Sequence, residues 1–520
     1  MTQQKRDCRT KPQGHRKGAQ TRGRESLGGG SAATVNERTS QLQLCFGTAE
    51  NPKGAVGVAV VGQPTTATRA APKPKHKKQR ATSATVEEVC KLLTCAFESV
   101  ASNKGAPGPD RQSIEYVQQH WLELETELRT ALLAGKYEPG NIRRVWIPKT
   151  SGGQRGLGIP NVVDRVVQQA VRMVLEPLYE PMFHEANHGF RPGRSCLTAI
   201  MAAYRHIDEG YHWVVDLDLA DFFNRVNHQR LMARLAERVD NQALLRLIGK
   251  MLKAQVVMPN GVVVSTDEGV PQGGPLSPLL SNIVLDELDQ ELERRGHRFV
   301  RYADDCNIYV CSERAGQRVM ASITAFIEKR LRLKVNTEKS AVARVEERHF
   351  LGFRLKREPK DGNVEVLLSK RTKERIDKRI RELTPRNWGQ SLRKCIEKIN
   401  VYLTGWIGSF AICTTGVKWI LEGLDAHIRR RLRAIVLTHW KTKQTIARRL
   451  TRLGVERATA RRNVYAGRKG CWALSRNWAV HQGLRNAYFA ERGLVSLAER
   501  WAQLARYIGA PGEQLRLDLG

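Results

Sequence analysis

Two adjacent carboxylates stand at the tip of a hairpin that the sequence predicts. Asp304 and Asp305 separate two short stretches, 299–301 and 307–310, which are rich in β-branched and aromatic residues and are typical of strands. Carboxylates this close repel each other, and a cation bound between them relieves the repulsion. The pair is therefore a candidate divalent-metal site, although an Asp-Asp pair is also typical of a solvated acidic turn.

Two further stretches contain groups that could complete such a site. The alternation across residues 213–217 predicts a strand that places Asp216 and Asp218 on one face. Residues 269–278 (GVPQGGPLSP) form a glycine-rich turn that leads into a helix. The two glycines after Gln272 would let the backbone approach a ligand closely.

The order and spacing of these stretches resemble the palm of reverse transcriptases, and most of all the proteins encoded by bacterial group II introns. YADD at 302–305 and GVPQGGPLSP at 269–278 carry the resemblance, which runs from about Asn103 to about Trp501. It implies an α+β fold shaped like a right hand, with antiparallel sheet in the fingers and palm. An all-helical thumb and maturase domain would follow.

The resemblance also implies two bound Mg²⁺ ions, held by the carboxylates of Asp218, Asp304 and Asp305 and by the backbone carbonyl of Leu219. Hard oxygen ligands suit this metal, and two ions suit nucleotidyl transfer. Asp218 is preferred to Asp216 and Asp221 because family palms place paired aromatic residues four and five positions after the metal ligand. Phe222 and Phe223 match those positions.

Five residues are predicted to contact the incoming dNTP by the same resemblance. Phe223 would lie under the sugar and exclude a 2′-hydroxyl group, so the product would be DNA. Gln272 would contact the nucleotide, and Lys149 and Arg155 would flank a fingers hairpin that binds its triphosphate. Lys339 would donate a proton to pyrophosphate. For the three cations, an ordinary surface position remains the alternative.

Nucleic-acid contacts are predicted in loops and on basic helices. Family-like loops suggest Lys104, Arg191, Arg194 and Gly352, although a linker or an ordinary core strand would also explain the first and last. His188 is expected to be structural, and Ser195 and Ser277 are each expected to cap a helix. The basic helical faces add Arg375, Lys378, Arg379, Arg393, Lys394, Arg429, Arg430 and Arg431. The interleaved aromatic residues Trp472, Trp478, Tyr488 and Phe489 are expected in the core.

The charge distribution points to a polyanionic partner. The net charge is +34, and Lys and Arg outnumber Asp and Glu by 16 to 4 in residues 1–85 and by 31 to 9 in residues 370–510. Residues 86–369 are nearly balanced, at 38 to 37. Charges that served only solubility would be spread evenly along the chain, so the asymmetry indicates a polyanionic partner, most plausibly nucleic acid. A membrane surface is the weaker alternative, because no basic amphipathic helix beside an apolar anchor is evident.

The sequence contains no secretory signal, no run of 18 apolar residues and no C-x-x-C pair among its ten cysteines. We therefore expect a cytoplasmic bacterial protein associated with nucleic acid, without a zinc site or disulfide framework. The predicted organisation is a disordered basic tail (1–82), a helical extension with a template-contacting loop (83–142), fingers and palm (143–368), thumb and maturase-specific domain (369–450), a basic helical nucleic-acid-binding region (451–510) and a short tail (511–520).

Together these features predict an RNA-directed DNA polymerase that also binds its own intron RNA as a splicing maturase and supports retrohoming. Its partners would be group II intron RNA, a DNA primer or target, and dNTPs. A homodimer is one of the oligomeric states left open. The chain ends about twenty residues after Trp501 without a suitable Cys/His cluster, so we expect no DNA cleavage and a pre-existing primer. The alternatives are a retron-like or domesticated reverse transcriptase, and an RNA-binding splicing factor with an inactive palm.

Overall fold

The structure is a computed structural model that describes residues 84–148, 153–358, 362–466 and 470–508. The predicted tail (1–82) and the predicted triphosphate contact Lys149 lie outside these ranges. Thr85 caps the first described helix by accepting a hydrogen bond from the Glu88 amide at 3.3 Å, so this helix begins at Val86.

The strands form a fingers sheet, a palm sheet and a two-stranded ribbon. The fingers sheet has the order β2-β1-β4-β5, the palm sheet β6-β7-β3-β8, and the ribbon pairs β9 with β10. The strands are β1 (Ile142–Pro148), β2 (Gln154–Ile159), β3 (Trp213–Leu217), β4 (Val256–Val257), β5 (Val263–Val264), β6 (Arg298–Tyr302), β7 (Asp305–Val310), β8 (Ala341–Arg344), β9 (Phe353–Arg357) and β10 (Val364–Leu368).

Helices surround the sheets and make up the described chain beyond β10. Those before the thumb are α1 (Val86–Lys91), α2 (Leu93–Ser102), α3 (Ile114–Gln119), α4 (Trp121–Leu133), α5 (Val162–Tyr179), α6 (Cys196–Asp208), α7 (His228–Ala236), α8 (Gln242–Leu252), α9 (Ser277–Arg294) and α10 (Glu313–Phe326). Those that follow are α11 (Lys370–Leu383), α12 (Leu392–Phe410), α13 (Lys418–His439), α14 (Lys443–Arg452), α15 (Arg457–Tyr465), α16 (Cys471–Leu474), α17 (Trp478–Gly483), α18 (Asn486–Ala490) and α19 (Leu497–Ile508).

The palm sheet lies between two hydrophobic cores because side chains alternate across each strand. On β3, Val215 and Leu217 join the core formed with the fingers helices, whereas Val214 joins the core that extends into the thumb. All palm strand pairs are antiparallel. The predicted α+β class and antiparallel palm are thus confirmed.

Two helix starts were predicted next to functional loops. Ser195 caps α6 as expected: its hydroxyl accepts hydrogen bonds from the Leu197 and Thr198 amides, and Thr198 Oγ1 accepts one from the Ser195 amide. The prediction that Ser277 caps α9 is wrong, because α9 begins at Ser277. Its hydroxyl instead donates to the Pro271 carbonyl at 2.6 Å and so braces the glycine-rich turn.

An apolar stripe runs along the first thumb helix. Ile376, Ile380 and Leu383 are buried on α11, and serine caps at Ser369 and Ser391 begin α11 and α12. None of the helices in the described part of the chain combines the length and apolar character needed to cross a bilayer.

Candidate active site

Strand register brings the three predicted catalytic carboxylates to one end of the palm sheet. β3 pairs with β7 so that Leu217 lies opposite Cys306, which places the next residue, Asp218, beside Asp305. β6 and β7 pair up to Tyr302 and Asp305, which leaves Ala303 and Asp304 as a two-residue turn. The acids therefore come from one strand end and one adjoining hairpin, as predicted.

The carboxylates at the turn resist ionisation. Burial and the negative charges of Asp304, Asp216 and Asp218 raise the pKa of Asp305 to about 7. Burial also raises the pKa of Asp304, and Arg155 partly offsets this increase. Asp305 nevertheless remains exposed to solvent, and Asp304 is half-buried. A cation placed there would lower both pKa values.

The oxygen donors fit a hard divalent cation. In the described residues, no three His, Cys, Asp or Glu side chains are gathered as a metal-binding cluster. Lys339 Nζ instead lies 3.5 Å from Asp218 Oδ2. Asp218, Asp304 and Asp305 nevertheless offer carboxylate oxygens, which are the donors that a hard divalent cation prefers. The three negative charges repel one another, and a bound cation would relieve that repulsion.

Asp216, the rejected alternative to Asp218, is already paired within the protein. Arg348 Nε and Nη2 donate to Asp216 Oδ2 at 2.8 and 2.5 Å, and Nη2 also donates to the Lys339 carbonyl. The Asp218 backbone is held separately: its amide donates to Ser340 Oγ at 3.0 Å, and its carbonyl accepts from the Asn336 amide at 2.8 Å. The Asp218 carboxylate is thereby presented toward the site while Asp216 is neutralised.

This difference predicts opposite outcomes for two otherwise similar substitutions. Asp218→Asn should reduce primer extension by about 10³-fold, because it removes a charge that stabilises the transition state. Asp216→Asn should retain more than about one tenth of the activity, since it weakens a structural ion pair. Single-turnover primer extension distinguishes them, and equal losses in the two variants would contradict the assignment.

The predicted sugar-contacting residue, Phe223, is buried at the junction of two motifs. Its ring is only 8% exposed and meets Phe222 edge-on, with ring centroids 5.1 Å apart. Its carbonyl accepts a hydrogen bond from the Val270 amide at 2.6 Å. Gly269 has a φ of +94°, and a Cβ there would come within 2.8 Å of the same carbonyl, so the glycine permits this close approach.

The fingers hairpin and the glycine-rich turn meet at Arg155 and Gln272. Arg155 Nε donates to Gln272 Oε1 at 2.8 Å, and the Gly158 amide donates to the Gln272 carbonyl at 2.7 Å. A Cβ on Gly273 would lie 2.4 Å from the Gly158 carbonyl oxygen. The two predicted nucleotide contacts are thus adjacent, and Arg155 is close enough to act on the charge of Asp304.

Sequence reasoning missed a buried arginine beneath the catalytic turn. Arg301 is 0% exposed and forms an ion pair with Asp289 of α9, at 2.5 Å. It also donates to the Ala303 carbonyl at 2.9 Å. The strand itself offered a signal, because Arg301 directly follows Phe299 and Val300 in a short apolar stretch, and all three residues are buried in β6.

Two predicted nucleic-acid contacts are wrong because their guanidinium groups are used inside the protein. Arg191 was expected to reach outward, but its side chain is 6% exposed and binds Glu180 and the carbonyls of His184 and Asn187. Arg431 is 7% exposed and donates to the Thr384 carbonyl and hydroxyl. Both arginines hold segments of the fold together.

The other predicted contacts occupy more open positions. Arg194 is half-buried and donates to the Glu185 carbonyl, and Gly352 (φ +90°) accepts from the Ser369 amide and the Thr372 hydroxyl, which fastens the hairpin to the thumb. The Arg379 guanidinium lies 5.9 Å from the centroid of the Tyr402 ring, and Arg429 is half-buried. The exposed ones are Lys104, Arg375, Lys378, Arg393 and Lys394. Their contacts with nucleic acid remain predictions.

Aromatic residues near the C-terminal end of the described chain differ in burial. Phe489 is fully buried as predicted, and Trp472 is half-buried, with the Arg430 guanidinium 3.7 Å from its ring centroid. The core assignment of Trp478 is wrong, because 62% of that residue is exposed at the start of α17. The prediction fails because Trp478 lies in the first turn of a six-residue helix, where a side chain of any type can face solvent.

His188 has the structural role that was predicted. Its backbone amide donates to the Arg301 carbonyl at 2.8 Å, and its Nδ1 lies 2.9 Å from Thr198 Oγ1. Burial and the nearby arginines lower its pKa to about 3, so the ring is neutral at physiological pH. A neutral imidazole in a packed loop positions the chain and carries no charge into the site.

Two protein families match consecutive parts of the chain. "Reverse transcriptase (RNA-dependent DNA polymerase)" matches residues 147–355, and "Group II intron, maturase-specific domain" matches residues 373–454. The first covers the carboxylates, Phe223 and the glycine-rich turn, and the second begins within α11.

Three relatives are similar to this chain over half of its length or more. Protein YkfC of Escherichia coli (strain K12) is 32% identical over 59% of this chain and 89% of its own length. The group II intron-encoded protein LtrA of Lactococcus lactis subsp. cremoris is 28% identical over 55% of this chain and 61% of its own length. The putative COX1/OXI3 intron 2 protein of Saccharomyces cerevisiae is 32% identical over 50% of this chain and 29% of its own length. The chain belongs to the reverse transcriptases that carry a group II intron maturase-specific domain.

Proposed function

We propose that this RNA-directed DNA polymerase copies group II intron RNA, binds the same RNA as a splicing maturase and supports retrohoming. The observation that carries the proposal is the register that sets Asp218 beside Asp305, next to the turn where Arg155 contacts Gln272 and acts on the charge of Asp304. The matched maturase-specific domain supports the RNA-binding half of the proposal.

Two Mg²⁺ ions are proposed at Asp218, Asp304, Asp305 and the Leu219 carbonyl, where they would supply activation of the primer 3′-oxygen and neutralisation of phosphate charge. The chain itself positions the reactants. Asp218 is fixed through its backbone by Ser340 and Asn336, and the turn bearing Asp304 is fixed from below. Preorganised groups of this kind require little rearrangement during the reaction.

The nucleotide is proposed to lie between the fingers hairpin and the glycine-rich turn. Arg155 would meet the triphosphate, and Gln272, which Arg155 now contacts, would be released toward the nucleotide. The Phe223 ring would lie against the sugar of the nucleotide. Lys339 lies close enough to Asp218 to reach a departing pyrophosphate. The alternative is that Lys339 serves only as the ion-pair partner of Asp218.

We expect Arg155→Ala to raise the KM for dNTP about tenfold, because a charged hydrogen bond to phosphate is worth about 1.5–3 kcal/mol. The affinity for template–primer should change little. Arg246→Ala is the matched control, since Arg246 is an exposed arginine of α8 whose Nε donates to the Gln242 carbonyl of the same helix. Steady-state primer extension at varied dNTP measures both variants, and equal KM values would refute the assignment.

The RNA partner is tested by crosslinking the protein in its native cell and sequencing the bound RNA. Recovery of a long structured intron that encloses this reading frame would support the maturase and retrohoming roles. Recovery of a different RNA would favour a retron-like or domesticated polymerase. Exposed basic side chains along α11 and α12, including Lys378, Arg393 and Lys394, are the proposed RNA contacts and should crosslink most strongly.

A further inference from the structure

A completely buried ion pair lies beneath the catalytic turn. Arg301 Nε donates to Asp289 Oδ1 at 2.7 Å, and Nη2 donates to Asp289 Oδ2 at 2.5 Å. Both side chains are 0% exposed. Burial strips water from two charges, and apolar residues of similar volume often support a fold equally well or better. Fold stability alone therefore gives no reason for charge at this position.

The remaining guanidinium nitrogen reaches the turn itself. Arg301 Nη1 donates to the Ala303 carbonyl at 2.9 Å and to Asn282 Oδ1 at 3.2 Å. Ala303 has a φ of +59°, a left-handed conformation that a residue with a Cβ rarely adopts. The bond to its carbonyl stabilises a peptide orientation that the turn would not keep unaided.

The opposite side of the turn is held by the loop that contains Gly189. A Cβ on Gly189 would lie 2.2 Å from the Ala303 amide nitrogen, so the two backbones are in direct contact. Asn282 Nδ2 donates to the Gly189 carbonyl at 2.8 Å. Asn282 thus connects the loop above the turn with the arginine below it.

We propose that Arg301, together with Asp289 and Asn282, is a positioning residue for nucleotidyl transfer. Its forked guanidinium fixes the left-handed turn and thereby sets where the carboxylates of Asp304 and Asp305 stand. The inference rests on the proposed function of those carboxylates. A planar fork with donors in fixed directions suits this task, and an ammonium group on a flexible stem does not.

The test removes both charges of the pair together, so that neither is left buried alone. Arg301→Met with Asp289→Leu keeps the side-chain volume close to the original. The matched control is Arg234→Met with Asp286→Leu. That ion pair also uses α9, with an Nη2–Oδ2 distance of 3.4 Å and an Asp286 side chain that is 4% exposed, but it joins α9 to α7.

We expect the first double variant to fold with a Tm close to that of the wild type, and its single-turnover rate constant to fall by about 10–100-fold, because small displacements of reacting groups have effects of this size. The KM for dNTP and the Kd for template–primer should stay within about twofold, as the lost interaction acts on the chemical step. The control pair should retain the wild-type rate. A first double variant as fast as the control would overturn the proposal.

Arg301→Lys provides an independent test if the double variant does not fold. It keeps a positive charge beside Asp289 but cannot form the four fork contacts, so we expect about a tenfold lower rate constant. Wild-type activity in this variant would refute the positioning role. Amide hydrogen exchange across residues 302–306 should also be faster, and it reports on the turn without reference to activity. A wild-type protein that cannot extend a primer would refute the polymerase, whereas unchanged exchange in Arg301→Lys would refute the role of Arg301.

Discussion

Replacement of Asp304 and Asp305 together by asparagine is expected to reduce cDNA synthesis by at least about 10³-fold, since both charges that would neutralise the transition state are lost. The side-chain shapes are retained. The variant should also remain folded, because each carboxylate is disfavoured in its ionised form by burial and by its neighbours. Primer extension on an RNA template measures the loss.

Asp221→Asn is the matched control for this variant. Asp221 follows the same strand as Asp218 and is exposed, with a left-handed φ of +50° that asparagine adopts readily. Its substitution should leave cDNA synthesis unchanged. Unchanged synthesis in the Asp304 and Asp305 variant would refute the site assignment. Retention of intron splicing in that variant would show that the maturase and polymerase functions are separable.

Phe223→Ala is expected to weaken discrimination against ribonucleotides by about 10–200-fold, the range typical of steric selection in a binding pocket. The ring is buried where the strand β3 segment meets the glycine-rich turn, and the Val270 amide fixes its backbone. Removing it opens space on the sugar side of the proposed nucleotide site. The ratio of kcat/KM for dNTP to that for rNTP measures the effect.

Phe223→Ala also removes core packing, which costs about 3–5 kcal/mol of stability. The dNTP-to-rNTP ratio of kcat/KM is therefore the correct readout, because a loss of folded protein lowers both values equally. Phe223→Tyr keeps the bulk of the ring and should keep the discrimination. Phe223→Val, with a smaller packing loss, should fall between them. An unchanged dNTP-to-rNTP ratio in folded Phe223→Ala would show that this ring does not exclude the 2′-hydroxyl group.

Local patterns in the sequence predicted the strands of the palm, and the resemblance to reverse transcriptases predicted which carboxylates form the site. Alternation predicted β3 and placed Asp216 and Asp218 on one face, and turn chemistry predicted the hairpin that carries Asp304 and Asp305. Antiparallel pairing then left few registers in which the apolar faces of these strands could both be buried. For this reason the proximity of Asp218 to the turn that carries Asp304 and Asp305 could be predicted before the fold was known, while the roles of these residues in the reaction remain predictions.

Long-range polar contacts could not be predicted in the same way. Arg191, Arg301 and Arg431 are buried because carboxylates or backbone carbonyls distant in sequence satisfy their donors. A charged residue in a local window is expected to face solvent, and nothing in that window identifies its partner. Trp478 shows the opposite error, since an aromatic residue is expected in the core unless its helix position places it outside.

The central claim is that Asp218, Asp304 and Asp305 bind the divalent ions that support nucleotidyl transfer. The most direct measurement is a crystal structure of the protein with an RNA template, a dideoxy-terminated DNA primer and the matching dNTP, grown with Mn²⁺ and examined by anomalous scattering. We predict anomalous peaks at these three carboxylates, beside the triphosphate. A nucleotide bound between the fingers hairpin and the glycine-rich turn without a metal ion at Asp218, Asp304 and Asp305, or with the ion held by other residues, would contradict the claim.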